Sequence, residues 1–550
     1  MKADKIFKNA KIFTADKTNP QASALVVKDG KFVYVGDEAG LAAYEGDVVD
    51  LGGKFIMPGI FDNHVHVTLP VGFAYSEAGE RFACNGKQEA LDFMADYIAK
   101  NPGKKCYRFI LEKKDLLGET LTYKDLDAIC PDADLQIQEA EFHSVWVNSR
   151  VLKRHGITDD TPDPVPGLSV YERKDGHVTG YIIEGSAETR IILDGTLELT
   201  DEQIDAALQS WIDFSVEHGV TAVFDAGIPG FPEAHEHIMK RLCALDKQGK
   251  LPVYVDNCYV IAANWQAEDG LKELKRFRKE YSTPHHQVHT MKIFMDGTQK
   301  IRTAAMLTPY EGTQEKGATA FNKEDLAALM VKLNAEGLDL HMHTVGSAAS
   351  RVALDAVEIA RKELGDKFTM KVTCAHLEVQ DDADMGRFAK LGVIANYTPW
   401  WHAADPQVLT PVIGYERARK MFRCKTMWDS GALVTWSSDN VVYDFPCWNP
   451  FLGMEVGMTR QITEKTNSHA FTRTTAVFPP ENERMGIEEM LLGYTINGAK
   501  QLGVEATKGS ITVGKDADFL VLEKDLLTQP QEGFSFNLPQ EVYFGGKKVN

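Results

Sequence analysis

The chain has no long hydrophobic run. Nowhere do about 18 apolar residues follow one another, which excludes a membrane-spanning helix. Its start, MKADKIFKNAKIF, lacks the apolar segment of a secretory signal peptide, so a cytoplasmic protein is expected. Positive charge is in deficit: 60 Lys and Arg stand against 79 Asp and Glu, a formal net charge of −19. Nucleic acid and anionic membrane surfaces repel such a chain, so neither is expected as a partner. Paired cysteines are missing as well. The 8 cysteines are scattered and none form a CxxC pair. Reduced thiols fit this pattern better than a disulfide framework. What remains is ordinary: 44% hydrophobic and 25% charged over 550 residues, the composition of a globular protein larger than one small core.

Short β-rich runs with Asp-Gly and Gly-Gly turns open the chain, as in ALVVKDGKFVYVG. The same texture returns in GSITVGKDADFLVLEKD and EVYFGGKKVN near the end. Residues 1–56 and 505–550 are therefore expected to form one composite β-sandwich domain. Residues 57–504 read differently. KFIMPGIFDNHVH, GVTAVFDAG, LPVYVDNCYV, HTMKIFMDGT, LDLHMHTVG, KVTCAHLEV, GVIANYTPWW and ALVTWSSDN are eight near-continuous apolar runs. Such runs fit strands buried on both faces, and the amphipathic segments between them fit parallel βα units. Asn322 reads as the N-cap of one such helix, and Thr200 with Gln203 as a capping box. The fold expected is α/β, a (β/α)8 TIM barrel. About 150 residues separate the first two strands, so an insertion over about 68–216 is expected on the face where barrel enzymes place their sites.

Each run is apolar until its end, where ligand-type side chains appear: His64 and His66, Lys292, His343, His376 and Asp439. C-terminal strand ends of a barrel converge on one mouth. Residues i and i+2 share a face, so His64 and His66 point the same way. Imidazoles with a carboxylate suit zinc, with iron and manganese also compatible. His341 shares the face of His343. His343 is preferred because it lies nearer the strand end, which leaves His341 the role of a buried, hydrogen-bonded residue. Lys292 is the odd member, since an ammonium repels a divalent cation. It becomes useful if CO2 adds to a deprotonated amine, giving a carbamate that bridges two cations. The alternative is a salt bridge to Asp296 or Asp439.

These blocks resemble the amidohydrolase superfamily, in particular its amidohydrolase-3 (YtcJ-like) branch. PGIFDNHVH, KIFMDGTQKIRTAAM, HTVGSAAS, SSDNVV, EFHSVWVNSRVL and GYTINGAKQLGVEATKGSITVGKDADFLVLEKD carry the resemblance. The resemblance implies that His64, His66 and Asp439 hold one metal. It also implies that Lys292, as an N6-carboxylated lysine, bridges to a second metal held by His343 and His376. One or two zinc ions, or iron or manganese in their place, are then the expected cofactor. His143, in the insertion, would polarise the substrate carbonyl. A homodimer is expected from the family alone. Three departures stand out: Ser347 where the family usually has Asp, Glu141-Phe142 in place of Asp-Gly before His143, and ILEKKDLL without the usual Gly-Trp segment.

The activity implied is hydrolysis of a C–N bond at a carbonyl. A divalent ion lowers the pKa of water towards roughly 7. Asp439 is placed to take the proton and deliver it to the departing nitrogen. No carboxylate follows His343 closely, and Lys292 is present, which favours amide hydrolysis over a deaminase; a non-catalytic metal-binding scaffold is the remaining rival. Candidate substrate contacts are Arg302, Trp400, Trp401, Phe73 and Trp448, with Tyr75, Phe82, His402, Phe445 and Phe451 beside them. Aromatics at a mouth suit an apolar group next to the scissile bond. Arg302 would grip a carboxylate or pair with an acidic side chain of its own loop. The expected partner is a small N-substituted amide, such as an N-acyl or N-formyl amine with an aromatic group. A cyclic amide, carbamate, lactone or ester is the alternative.

Overall fold

All eight apolar runs become strands: Ile60–Val65 (β1), Val220–Asp225 (β2), Tyr254–Ile261 (β3), His286–Phe294 (β4), Asp339–Thr344 (β5), Val372–His376 (β6), Ile394–Tyr397 (β7) and Val434–Trp436 (β8). The structure, a computed structural model, describes residues 1–75, 79–113, 121–139, 142–441, 448–463 and 475–550. The strands hydrogen-bond in sequence order and in parallel from β1 to β8. Closure is made at the strand ends. Asp439 N donates to His64 O at 2.9 Å, and His66 N to Asn440 O at 3.1 Å. Below them, Asn63 Nδ2 donates to Trp436 O at 2.9 Å. The result is the expected TIM barrel, with helices between successive strands that present their apolar faces to it. Thr200 and Gln203 form their capping box at Asp201–Glu217, and the Asn322 side chain caps Lys323–Ala335.

Two further sheets come from the chain ends. One has four strands from residues 2–50. The other joins Lys11–Phe13, Gln21–Ala22 and Phe55–Pro58 to the C-terminal strands Phe519–Leu522, Glu541–Phe544 and Lys547–Lys548. Period-2 alternation shows how the second sheet works. Ile56, Phe519 and Val521 face the first sheet and pack with Phe7, Leu25, Val27 and Phe32. Phe55, Met57, Leu520 and Leu522 face the other way and join the barrel's core. The middle layer is thus apolar on both sides, one side for each neighbour. Pro58 ends its strand paired with Phe519, and the chain enters β1 two residues later. Gly59 at the junction abuts Thr221, and a Cβ there would overlap the Thr221 side chain.

The segment between β1 and β2 carries its own six-stranded sheet, from Glu80–Ala83 to His177–Ile183, with a separate core around Phe82, Phe109, Leu135 and Trp146. Among the described residues no helix is long and apolar enough to cross a membrane.

Phe519 is fully buried between the rings of Phe7, Phe32 and Tyr543. Phe519→Ala is expected to cost about 3–5 kcal/mol, read as a lowered denaturation midpoint. A midpoint equal to the parent's would show that the sandwich adds nothing to the barrel.

Candidate metal centre

The ligand-type side chains that end the strands meet at one mouth. His64 and His66 leave β1 on one face. The nitrogens of these two and a carboxylate oxygen of Asp439 lie within 4.8 Å of one another. Asp439 Oδ1 is 3.5 Å from His64 Nε2 and 3.2 Å from His66 Nε2, and its Oδ2 is 3.7 Å from His376 Nδ1. The ring of His376 lies 4.9 Å from that of His64 and 4.5 Å from that of His343. Lys292 Nζ sits 3.3 Å from His64 Nε2. Six residues drawn from β1, β4, β5, β6 and the end of β8 therefore share one small, nearly dry space.

Electrostatics in that space favour lone pairs over protons. Burial first, then the nearby Lys292, pushes His64 and His341 well below the ordinary histidine range. Burial does the same to His376 and His343, helped by the neighbouring imidazoles. These rings are neutral at pH 7. Their tautomers follow from their partners. His66 Nδ1 lies 2.5 Å from Gly227 O, a carbonyl that can only accept, so Nδ1 carries a proton and Nε2 is the nitrogen that faces Asp439. His341 Nε2 meets His64 Nδ1 at 2.9 Å, which turns His64 Nε2 towards Asp439.

A neutral imidazole lone pair, such as that of His64 Nε2 3.5 Å from Asp439 Oδ1, is repelled by a carboxylate oxygen unless a cation lies between them. Asp439 Oδ1 and His376 Nδ1 are buried with no hydrogen-bond partner. The donor set, N and O at a hard-to-borderline site, fits a divalent ion. Lys292 fits the second part of the expectation. It is wholly buried, and desolvation pushes its amine down to about 7. Asp296 is not its partner: the Asp296 carboxylate accepts from Val345 N, Gly346 N and Ala305 N at 2.8–3.0 Å. Those bonds pin the loop after β4 to the end of β5, beside His343. Burial nevertheless pushes the Asp296 carboxyl up to about 8.

The backbone is strained where the site is tightest. His376 (φ 76°) and Asp439 (φ 48°) both occupy left-handed space. Such residues cost about 1–3 kcal/mol each and persist only where their surroundings hold them. Asp439 is held by its bond to His64 O. The adjoining Ser438 N donates to Asp62 Oδ1 at 2.8 Å. Asp62 was not singled out in the sequence; its place two residues before His64 was the signal.

His143 reaches the mouth from the insertion. Its ring lies 5.6 Å from that of His343, and its Nδ1 is 2.7 Å from Glu184 Oε2. Glu184 was also missed, although it ends an apolar strand just as the barrel ligands do.

The aromatic candidates divide. Trp401 stacks on His376 with ring centroids 5.4 Å apart. Trp400 donates from Nε1 to Ser438 O at 2.7 Å. Phe73 faces Phe142, next to His143, at 6.1 Å. The other aromatic candidates that the structure describes lie away from the histidines. Trp448 does not line the mouth: it is buried against Phe214 and Trp211 of the helix Asp201–Glu217, in the helix layer. Phe451 joins the barrel's helix-layer core, and Phe82 stacks on Phe93 inside the insertion. Arg302 is exposed and pairs with Glu315 at 3.9 Å, the second of the two roles expected for it, an acidic partner in its own loop. His402 is buried against Phe422 and Cys424. Tyr75 is exposed, and Phe445 and Glu141 lie outside the described residues. Ser347, in place of the usual Asp, accepts from Leu307 N at 3.1 Å.

Comparison with known proteins agrees with the geometry. The sequence model described as "Amidohydrolase family" matches residues 47–549. The N-substituted formamide deformylase of Arthrobacter pascens is 25% identical over 530 residues, covering 94% of this chain and 93% of that protein. The exoenzymes regulatory protein AepA of Pectobacterium carotovorum is 27% identical over 414 residues, covering 72% and 86%. The crystal structure of an uncharacterized metal-dependent hydrolase from Pyrococcus horikoshii superposes with a TM-score of 0.68 at 22% identity, over 96% of this chain and 99% of the other.

His341 orients His64 without touching Asp439. Residues that orient a ligand in this way are worth 10–100-fold in metal affinity. His341→Ala is therefore expected to weaken metal retention by about that factor in a chelator competition. Retention equal to the parent's would mean that His64 needs no such partner.

Proposed function

This chain belongs to the amidohydrolase family, and from that premise we propose that it hydrolyses the C–N bond of a small N-substituted amide, an N-acyl or N-formyl amine bearing an aromatic group. One observation carries the metal-dependent part of this reading: the ring nitrogens of His64 and His66 crowd a buried Asp439 oxygen that has no hydrogen-bond partner, an arrangement that a divalent cation makes favourable. The choice of substrate rests on the deformylase relative and on Trp401 and Phe73 beside the histidines.

His64, His66 and Asp439 would hold one ion, and His343 and His376 a second, with Lys292 between them as a carbamate. Zinc suits the donors, and iron or manganese does as well. When bound, a divalent ion supplies charge to stabilise the developing oxyanion and acidifies water. The chain's own residues do the rest. Asp439 accepts the proton of the attacking water and passes it to the departing nitrogen, which otherwise leaves as a poor amide anion. Protonated on both nitrogens, with Nδ1–H held by Glu184, His143 donates from Nε2 towards the carbonyl oxygen as its charge grows. Trp401 and Phe73 keep the site apolar, so these charges act in a low dielectric.

Metal analysis together with a screen of N-formyl and N-acyl aromatic amines tests this reading. Turnover of none, with metal bound, would leave a binding scaffold instead. Asp439→Asn is expected to keep most of the metal and to lower kcat by about 10²–10⁴-fold, measured by steady-state kinetics beside elemental analysis. Parental turnover in that variant would remove Asp439 from proton transfer.

A further inference from the structure

Glu184 is held more tightly than a residue at a strand end requires. It ends the insertion strand His177–Ile183 and is 4% exposed. Its backbone sits at φ 69°, ψ 150°, a region essentially reserved for glycine. A residue with a side chain stays there only if its contacts over-determine it, and both carboxylate oxygens are engaged. Oε2 meets His143 Nδ1 at 2.7 Å. Oε1 accepts from the hydroxyl of Thr303, which in turn accepts from Thr298 N at 2.9 Å. The backbone closes the same unit: Glu184 N donates to His143 O at 2.8 Å.

The unit reaches the candidate metal ligands. Gly297 lies against Glu184, where a Cβ would overlap the carboxylate. Gly297 O in turn contacts His343 Nε2 at 3.3 Å. Glu184 therefore ties three pieces together: the insertion that carries His143, the loop after β4, and the end of β5. Glu188, one helical turn further on, is buried beside it, and desolvation pushes that carboxyl well above the usual carboxylate range.

We propose that Glu184 is the positioning residue of this enzyme: its carboxylate fixes the ring of His143 through Nδ1, so that His143 acts on the substrate through Nε2, and anchors the insertion to the β4 loop through Thr303. This rests on the amide-hydrolase reading for its kinetic arm only. A carboxylate accepting from an imidazole N–H makes a charge-assisted bond, shorter and about twice as strong as a neutral one. Glu184→Gln keeps the shape and an acceptor but removes the charge.

The test uses the full metal-loaded chain. Proton NMR of the parent is expected to show a far-downfield imidazole N–H resonance that vanishes in His143→Ala and moves upfield in E184Q. On the N-formyl or N-acyl aromatic amine that the parent turns over fastest, E184Q lowers kcat by about 10–100-fold, with KM within about twofold and metal content unchanged. In the His143→Ala background, E184Q causes no further loss, because it acts through the residue already removed. Absence of the resonance from the parent overturns the proposal, as does its persistence unshifted in E184Q. An E184Q loss of equal size with and without His143, or a metal loss that matches the loss of turnover, also overturns it. If no panel compound is turned over, the substrate reading fails, while the resonance still decides the role of Glu184.

Discussion

The site depends on a seam between the first and last strands of the barrel. Asp439 N bonds to His64 O, Ser438 N to Asp62, and His66 N to Asn440 O. Those bonds bring residues nearly four hundred positions apart to the same rim. They also hold Asp439 in a backbone conformation it would not otherwise keep. Without the seam the carboxylate would relax away from the imidazoles, since nothing in their own chemistry attracts it while the rings are neutral. The geometry is therefore imposed by the barrel, at a cost in strain and repulsion that a bound cation offsets.

Burial is the second determinant, and it acts on every group in the same direction: it disfavours charge. Applied to histidines it yields lone pairs; applied to Lys292 it yields an amine pushed down to about 7, so that a substantial fraction is neutral near pH 7. A surface cluster of the same residues would be protonated more readily and would offer fewer donors. The dry mouth is thus what converts ordinary strand-end residues into a candidate ligand set. The insertion contributes to it, because Phe73, Phe142 and His143 come from that segment.

The barrel was legible in the sequence because two of its rules are local. Parallel strands buried on both faces read as continuous apolar runs, and period 2 puts His64 and His66 on one side. Convergence of the strand ends then follows from closure. The aromatic wall was not legible. Trp401 and Trp448 both come from segments that follow a barrel strand, yet one stacks on His376 and the other packs against Phe214. Neither periodicity nor residue type encodes which of the two a tryptophan beyond a strand will do. Arg302 shows the same limit: its chemistry allowed a substrate contact, and a glutamate thirteen residues on took the charge. Glu184 was within reach of the rule that found the ligands, had the rule been extended beyond the barrel strands.

The three layers of the molecule are coupled by single strands that serve two sides. Phe55–Pro58 packs Ile56 into the sandwich and Phe55 and Met57 against the barrel, then runs directly into the strand that bears His64 and His66. Sideways movement of the sandwich would shift β1 against its neighbours, and Gly59 leaves no slack there because it already abuts Thr221. At the other side of the mouth, Glu184 binds the insertion to the loop after β4. A site whose donors come from five strands and an insertion tolerates little independent motion among them, since a displacement of about 1 Å is enough to spoil catalytic geometry. Buttresses on both flanks, each built on a position where only glycine fits, are what such a dispersed site requires.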